Sequence, residues 1–283
     1  RRELLDLYAS WGYELIMPPF IEYLESLLTG TGNDLDLQTF KLTDQLTGRM
    51  MGVRADMTPQ AARIDAHPLK REAPSRLCYM GTVLRTRSDG FAASRSPLQV
   101  GAELFGHAGI ESDVEILSLV LETLTLMAID DVHVDLGHVG IFRGLAKEAG
   151  LDARQEADLF DALQRKAVTE VADILSSSSA GQAERQRLAV LADLNGDAGV
   201  LEAARERLSG AGSTVMAALD NLCAIADAMQ ARAGSASLYF DLAELRAYHY
   251  QSGVVFAAFV PGEGQEVARG GRYDQIGEVF GRA

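Results

Sequence analysis

The sequence predicts an α+β fold interrupted by an α-helical insertion, and three patterns carry that expectation. Six of the seven prolines lie at or before Pro97, the seventh is Pro261, and none falls between them. Stretches with strand character, either alternating or rich in Val, Phe and Tyr, occur on both sides of the proline-free region. Within that region, from about residue 140 to 236, Ala, Leu and Val recur at helical spacing instead.

In chain order, residues 1–11 read as a helix with Leu4, Leu5, Tyr8 and Trp11 on one face. An extended stretch containing Pro18 and Pro19 follows. Residues 77–85 and 98–105 read as strands and residues 111–127 as a long apolar-faced helix. Val132, Val134 and Leu136 alternate with polar residues, the signature of a half-buried strand. The helical block then shows three stripes: Leu159, Leu163 and Ala167; Leu188, Leu191 and Leu194; Met216, Leu219, Cys223 and Ala226. Such stripes are core faces rather than cofactor boxes. Ser176–Ser179 with Gly181, and the run Gly210, Ala211, Gly212 and Ser213, interrupt the block. Strands return at 237–242 and 254–260. The expected domain is therefore 1–140 joined with 237–283, and residues 141–236 are the insertion. No internal repeat is visible.

The 283 residues are 47% apolar and 23% charged, with mean hydropathy +0.01. Such a chain can bury a sizeable core as one large domain or two smaller ones. No apolar run approaches the ~20 residues that span a bilayer, so no membrane association is expected. The start is amphipathic rather than signal-like, lacks an initiator Met, and the chain stops abruptly at Ala283; it reads as a piece of a longer protein. Lys and Arg number 26 against 40 Asp and Glu, a net charge of −14, which disfavours nonspecific nucleic-acid binding. Cys78 and Cys223 lack metal-ligand spacing and read as thiols in a reducing cytoplasm. His67, His107, His133 and His138 show no ligand pairing, so neither a metal site nor a cofactor is expected.

Four segments carry chemistry. Trp11 to Glu22 combines a helix end, a short extended run and Pro18-Pro19, which by itself also fits an edge strand. In Val53 to Arg63, Asp56, Thr58 and Pro59 stand at a helix start. Plain capping, with Thr58 at N-cap and Pro59 at N1, would give the same pattern. An ammonium needs an anion plus a neutral acceptor, and Asp56 with Thr58 supplies both. Arg76 to Arg87 and Gln99 to Gly106 form a strand, loop and strand ending in Gln-x-Gly-x-Glu-x-Phe-Gly, where Gln99 and Glu103 line a site or satisfy strand neighbours. Finally Leu245 to Phe256 precedes the run Gly270, Gly271, Arg272, Tyr273 and Asp274, which alone would be only a turn before a helix.

Together these segments resemble the histidyl-tRNA synthetases. The first is similar to motif 1 of class II aminoacyl-tRNA synthetases, the third to motif 2, and the fourth to the two histidine-specific motifs. The resemblance implies a class II-like antiparallel sheet flanked by helices. It places Asp56 and Thr58 at the α-amino group of an amino acid and Arg85 at its carboxylate and α-phosphate. It sets Gln99 and Glu103 in the histidine pocket and Arg246 at the catalytic arginine.

The departures are as informative. Arg87 stands where the synthetases have a glutamate, and Pro97 where they have an adenine-stacking phenylalanine. Replacing an acceptor by a donor leaves a bound group unpaired, at about 1–3 kcal/mol per buried group. The stretch that reads imidazole has become Ala247, Tyr248, His249, Tyr250, Gln251 and Ser252. Tyr248, His249 and Tyr250 then line an altered or remnant pocket, His249 as a hydrogen-bonded wall residue.

A synthetase-like core with an eroded nucleotide side and a surviving amino-acid side resembles the regulatory subunits of short-form ATP phosphoribosyltransferase. That resemblance implies a non-catalytic regulator of the first step of histidine biosynthesis. It implies a self-dimer, a partner in the short-form catalytic subunit, L-histidine as a candidate ligand, no tRNA and a cytoplasmic location. The competing reading is a working histidyl-tRNA synthetase.

Overall fold

The computed structural model describes residues 1–29, 33–88, 94–245 and 251–281. Two compact units emerge: residues 1–112 with 274–283, and residues 113–273.

In the first unit, α1 (Arg2–Ser10) buries Tyr8 and stops at Trp11. Gly12 follows at φ +83°, the left-handed turn that lets the Tyr13 N–H reach Tyr8 O. β1 (Glu14–Leu15) then pairs in parallel with the strand Ser75–Thr82. A second sheet forms from β2 (Ile21–Tyr23), β3 (Phe40–Thr43) and β4 (Met50–Val53), with β4 in the middle. The short helices α2 (Leu24–Leu28) and α3 (Asn33–Gln38) connect β2 to β3. α4 (Thr58–Ile64) begins with Pro59 in its first turn, where a missing N–H is harmless, and runs into a π turn at Asp65–Leu69.

β5 (Ser75–Thr82) and β6 (Leu98–Phe105) are antiparallel, with Leu77 opposite Glu103, Tyr79 opposite Gly101 and Gly81 opposite Gln99. β5 ends three residues before the expected Arg85. Beyond Thr82 the backbone bonds on two sides: the Val83 and Arg85 N–H groups still reach Pro97 O and Arg95 O, while the Leu84 N–H bonds Arg54 O and Arg85 bridges Thr39. Met57, Ala61, Tyr79 and Val83 form a core cluster against which Ile16 and Phe105 pack.

The second unit holds α5 (Ile110–Leu126) from Asp113 onward and β7 (His133–His138). Val132, Val134 and Leu136 are all buried, as the alternation predicts. Six helices follow: α6 (Val139–Glu148), α7 (Ala153–Gln164), α8 (Val168–Ser177), α9 (Gln182–Val190), α10 (Gly199–Arg207) and α11 (Ser213–Gln230). Between α9 and α10 lies β8 (Asn195–Gly196). The helices break at both predicted flexible runs. α6 crosses α11 closely because Gly144 has no side chain; a Cβ there would lie 2.6 Å from Val215.

The stripe on α11 differs from the sequence expectation. Its buried face is Val215, Ala218, Leu219, Leu222, Ile225, Ala226 and Met229, which keeps the expected Leu219 and Ala226, while Met216 and Cys223 are half-buried at its flank. A period of 3.6 leaves neighbouring stripes nearly equivalent, and packing against α6 selects one.

The chain returns through β9 (Ser237–Asp241), β10 (Val254–Phe259) and β11 (Ala268–Gly271) to a five-stranded sheet ordered β11-β10-β7-β9-β8. Its pairings are antiparallel except β7 with β9. Gly270 and Gly271 are explained here. A Cβ on Gly270 would lie 2.4 Å from the Phe256 ring, and one on Gly271 2.7 Å from Val254 O. Beside them Arg272 Nε donates to Asp113 Oδ1 at 3.0 Å in a largely buried pair. The short helix α12 (Ile276–Val279) belongs to the first unit. Among the described residues no helix is long and apolar enough to cross a membrane.

Candidate functional site

The site is built on one face of the β5–β6 pair and on the segment entering α4. Gln99 and Glu103 lie four apart on β6, so the period of two points both to the same face. Asp56 Oδ1 accepts the Thr58 backbone N–H at 3.0 Å and Gln99 Nε2 at 2.7 Å. Gln99 Oε1 in turn accepts the Met57 N–H at 3.1 Å. The glutamine amide thus holds the acid and its backbone together.

Thr58 does not cap the helix with its side chain. It is the first residue of α4, and its hydroxyl donates to Glu103 Oε1 at 2.8 Å. The backbone contact that capping would supply comes from Asp56 instead. Tyr79 OH donates to the same Glu103 oxygen at 2.8 Å and lies 2.9 Å from Thr58 Oγ1. Burial first, then the nearby negative charges of Glu103 and Asp56, push the Tyr79 phenol far above its ordinary range, so it stays protonated.

Arg85 comes to the neighbouring backbone: its Nε donates to Ala55 O at 3.4 Å. Asp56, Thr58, Gln99 and Glu103 therefore form one hydrogen-bonded group, with Arg85 on the peptide preceding Asp56. Two carboxylates with a hydroxyl suit an ammonium, and a guanidinium suits a carboxylate. Arg87 is exposed and Pro97 half-buried. Arg246, Tyr248, His249 and Tyr250 lie outside the described residues. Among the described residues no group of three or more His, Cys, Asp or Glu side chains could hold a metal ion.

Three supporting residues escaped the sequence reading. Tyr79 is one, and its signal is a large aromatic directly opposite Gly101, a pairing visible only once the register is known. Arg54 is buried, donates from Nη1 to Pro18 O at 2.7 Å and from Nε to Thr82 O at 2.9 Å, and sits where a Cβ on Gly81 would collide with it. Gln60 Nε2 donates to Pro19 O at 2.8 Å and to Glu22 Oε2 at 2.7 Å, and Arg63 also pairs with Glu22. Nothing local in the sequence announces the Arg54 and Gln60 contacts, because they join residues 28 to 41 positions apart.

The histidyl-tRNA synthetase family model matches residues 1–283. The ATP phosphoribosyltransferase regulatory subunit of Thioalkalivibrio sulfidiphilus is 64% identical over 283 residues, covering 100% of this chain and 72% of that protein. An ATP phosphoribosyltransferase regulatory subunit/histidyl-tRNA synthetase from Bacillus halodurans superposes with a TM-score of 0.89 at 28% identity, covering 99% of this chain and 73% of that one. A chain of the ATP phosphoribosyl transferase (HisG:HisZ) complex from Thermotoga maritima superposes with a TM-score of 0.74 at 16% identity, over 96% of this chain and 90% of that one. At that identity the likeness is one of fold.

Proposed function

The chain belongs to the histidyl-tRNA synthetase family and, within it, to the ATP phosphoribosyltransferase regulatory subunits, and from that premise we propose how it regulates. It is a regulatory subunit of the enzyme, not a catalyst itself, and its partner is the catalytic subunit. Its fold is that of the class II histidyl-tRNA synthetase-like proteins.

The chain activates the short-form catalytic subunit and makes it sensitive to L-histidine, the end product. Histidine binds at the group formed by Asp56, Thr58, Gln99, Glu103 and Arg85; the resemblance adds Arg246, Tyr248, His249 and Tyr250, which lie outside the described residues. The supporting observation is the intact hydrogen-bonded amino-side cluster, which retains two carboxylates and the Thr58 hydroxyl. Regulation then follows from linkage: histidine shifts the enzyme only by binding one state of the assembly more tightly than another.

The chain pairs with a second copy through the motif 1 region, residues 11–22, where Leu15, Met17, Phe20 and Ile21 are exposed. It binds no tRNA, works in the cytoplasm, and carries residues 141–236 as an insertion in the synthetase-like core.

Reconstitution tests this function. The full-length protein is mixed with the short-form catalytic subunit of the same organism, and phosphoribosyl-ATP formation is followed with and without histidine. Activity that rises in the mixture and falls with histidine is the expected result. A catalytic subunit indifferent to this chain would overturn the activating role. Inhibition by histidine that survives Asp56→Ala and Arg85→Ala unchanged would move the histidine site elsewhere.

A further inference from the structure

Asn195 is the one asparagine of three that a glycine follows; the other two precede Asp34 and Leu222. An Asn-Gly pair carries its own reaction. With no side chain on the second residue, the Gly196 backbone nitrogen can close on the Asn195 amide carbon. That nitrogen loses its proton as the new C–N bond forms, the side-chain amide C–N bond breaks, and the leaving nitrogen takes a proton and departs as ammonia. Water then opens the succinimide ring to aspartate or isoaspartate.

The fold holds each atom that this step must move. Asn195 Nδ2, the leaving nitrogen, donates to Ala192 O at 3.0 Å, and Tyr239 OH donates to Asn195 Oδ1 at 2.7 Å. The attacking nitrogen is tied as well. The Leu242 N–H bonds Leu194 O at 3.0 Å, so the next hydrogen-bonded position of the antiparallel β8–β9 pair is Gly196 opposite Phe240. The Gly196 N–H therefore points into the ladder at Phe240 O. A tyrosine donor by itself would polarise the Asn195 carbonyl, but with both nitrogens fixed it locks the side chain instead. β8 is two residues long and ends the sheet, so these few bonds are what keeps it in place.

We propose that Asn195 is a spontaneous deamidation site gated by the edge strand β8. The gate is closed while Tyr239 holds the side chain and β9 holds Gly196, and it opens when β8 leaves the sheet, with water as the co-reactant. The product prevents return. A carboxylate at 195 stands directly opposite Asp241, the partner of Lys166, and like charges across a strand pair repel. Isoaspartate adds a methylene to the backbone and breaks the register. A transient opening of the edge thereby becomes a permanent chemical change.

The test is incubation of the full-length protein in mildly alkaline buffer, native and in guanidinium, with peptide mass mapping of the change from amide to acid. In the denatured chain Asn195 is expected to convert well ahead of Asn221, where the Leu222 side chain hinders the attack. In the native wild type, conversion at Asn195 is expected to run at least about tenfold slower than in the denatured chain. Tyr239→Phe keeps the ring and removes the hydroxyl, and is expected to speed native conversion about fivefold, the factor one hydrogen bond supplies. Hydrogen exchange of the Gly196 amide in the wild type is the second measurement, and it serves if Tyr239→Phe fails to fold; slowed exchange is expected. Equal rates in native and denatured wild type would overturn the gate. So would equal native rates in wild type and Tyr239→Phe, or a Gly196 amide that exchanges as freely as in the unfolded chain. A denatured chain that keeps its Asn195 amide would remove the site altogether.

Discussion

Single side chains decide which chemistry this molecule keeps. Arg54 shows how a buried cation is tolerated. Burial lowers its pKa, yet its fork is satisfied by two carbonyls on separate segments, a geometry a lysine head could not match. Cys78 shows the opposite outcome. Burial pushes its thiol up to about 11 with no cation to offset it. At pH 8 only about a thousandth of it is ionised. Cys78 is therefore expected to stay unmodified in the native protein treated with iodoacetamide at that pH and to react on denaturation. Peptide mass mapping checks this, and rapid native modification would contradict the burial.

At the scale of elements, the turn between β3 and β4 is held by Asp44. Its carboxylate accepts the Thr47 hydroxyl at 2.6 Å and the Leu46 N–H at 3.1 Å, and these bonds lower its pKa. A depressed folded-state pKa means that the turn's contribution is present above the unfolded value and lost as pH falls through the folded one. The Leu46 amide resonance is thus expected to titrate below the ordinary aspartate pKa of about 3.9, and Asp44→Asn should abolish that titration. On α11, Leu222 is fully buried whereas Cys223 is half-buried. Leu222→Ala should cost about 2–5 kcal/mol in denaturant unfolding, and Cys223→Ala about 1 kcal/mol or less. Equal costs would place the stripe where the sequence first suggests it. The start of α7 was a missed signal: Asp152 and Gln155 form a reciprocal capping box, readable directly from an Asp three residues ahead of a Gln.

At the scale of the whole molecule, regulation requires surfaces for assembly. Met17 is 86% exposed on the segment that Arg54, Gln60 and Arg63 fasten down. These anchors fasten the segment that carries the exposed apolar side chains proposed above as the contact with a second copy. Met17→Asp is expected to convert a dimer to a monomer in light scattering while leaving the thermal transition nearly unchanged. A variant that remains dimeric would remove this ridge from the interface. Loss of folding along with dimerisation would mean that the two are inseparable.

The sequence by itself determined the elements and the family. Helices and strands are local periodicities, and the motif residues sit at fixed short spacings, so Asp56 with Thr58 and Gln99 with Glu103 were legible as pairs. Only the tertiary structure decided which pairs meet. Thr58 finds Glu103 and Asp56 finds Gln99 across more than 40 residues, because the segment entering α4 packs on the face of β6 that carries Gln99 and Glu103, and β5 pairs with β6 in a register that no local propensity specifies. The same register places Tyr79 over Gly101 and turns a buried tyrosine into part of the site. Local patterns follow from backbone geometry, whereas a site of this kind follows from packing, and packing energies are summed over the whole fold.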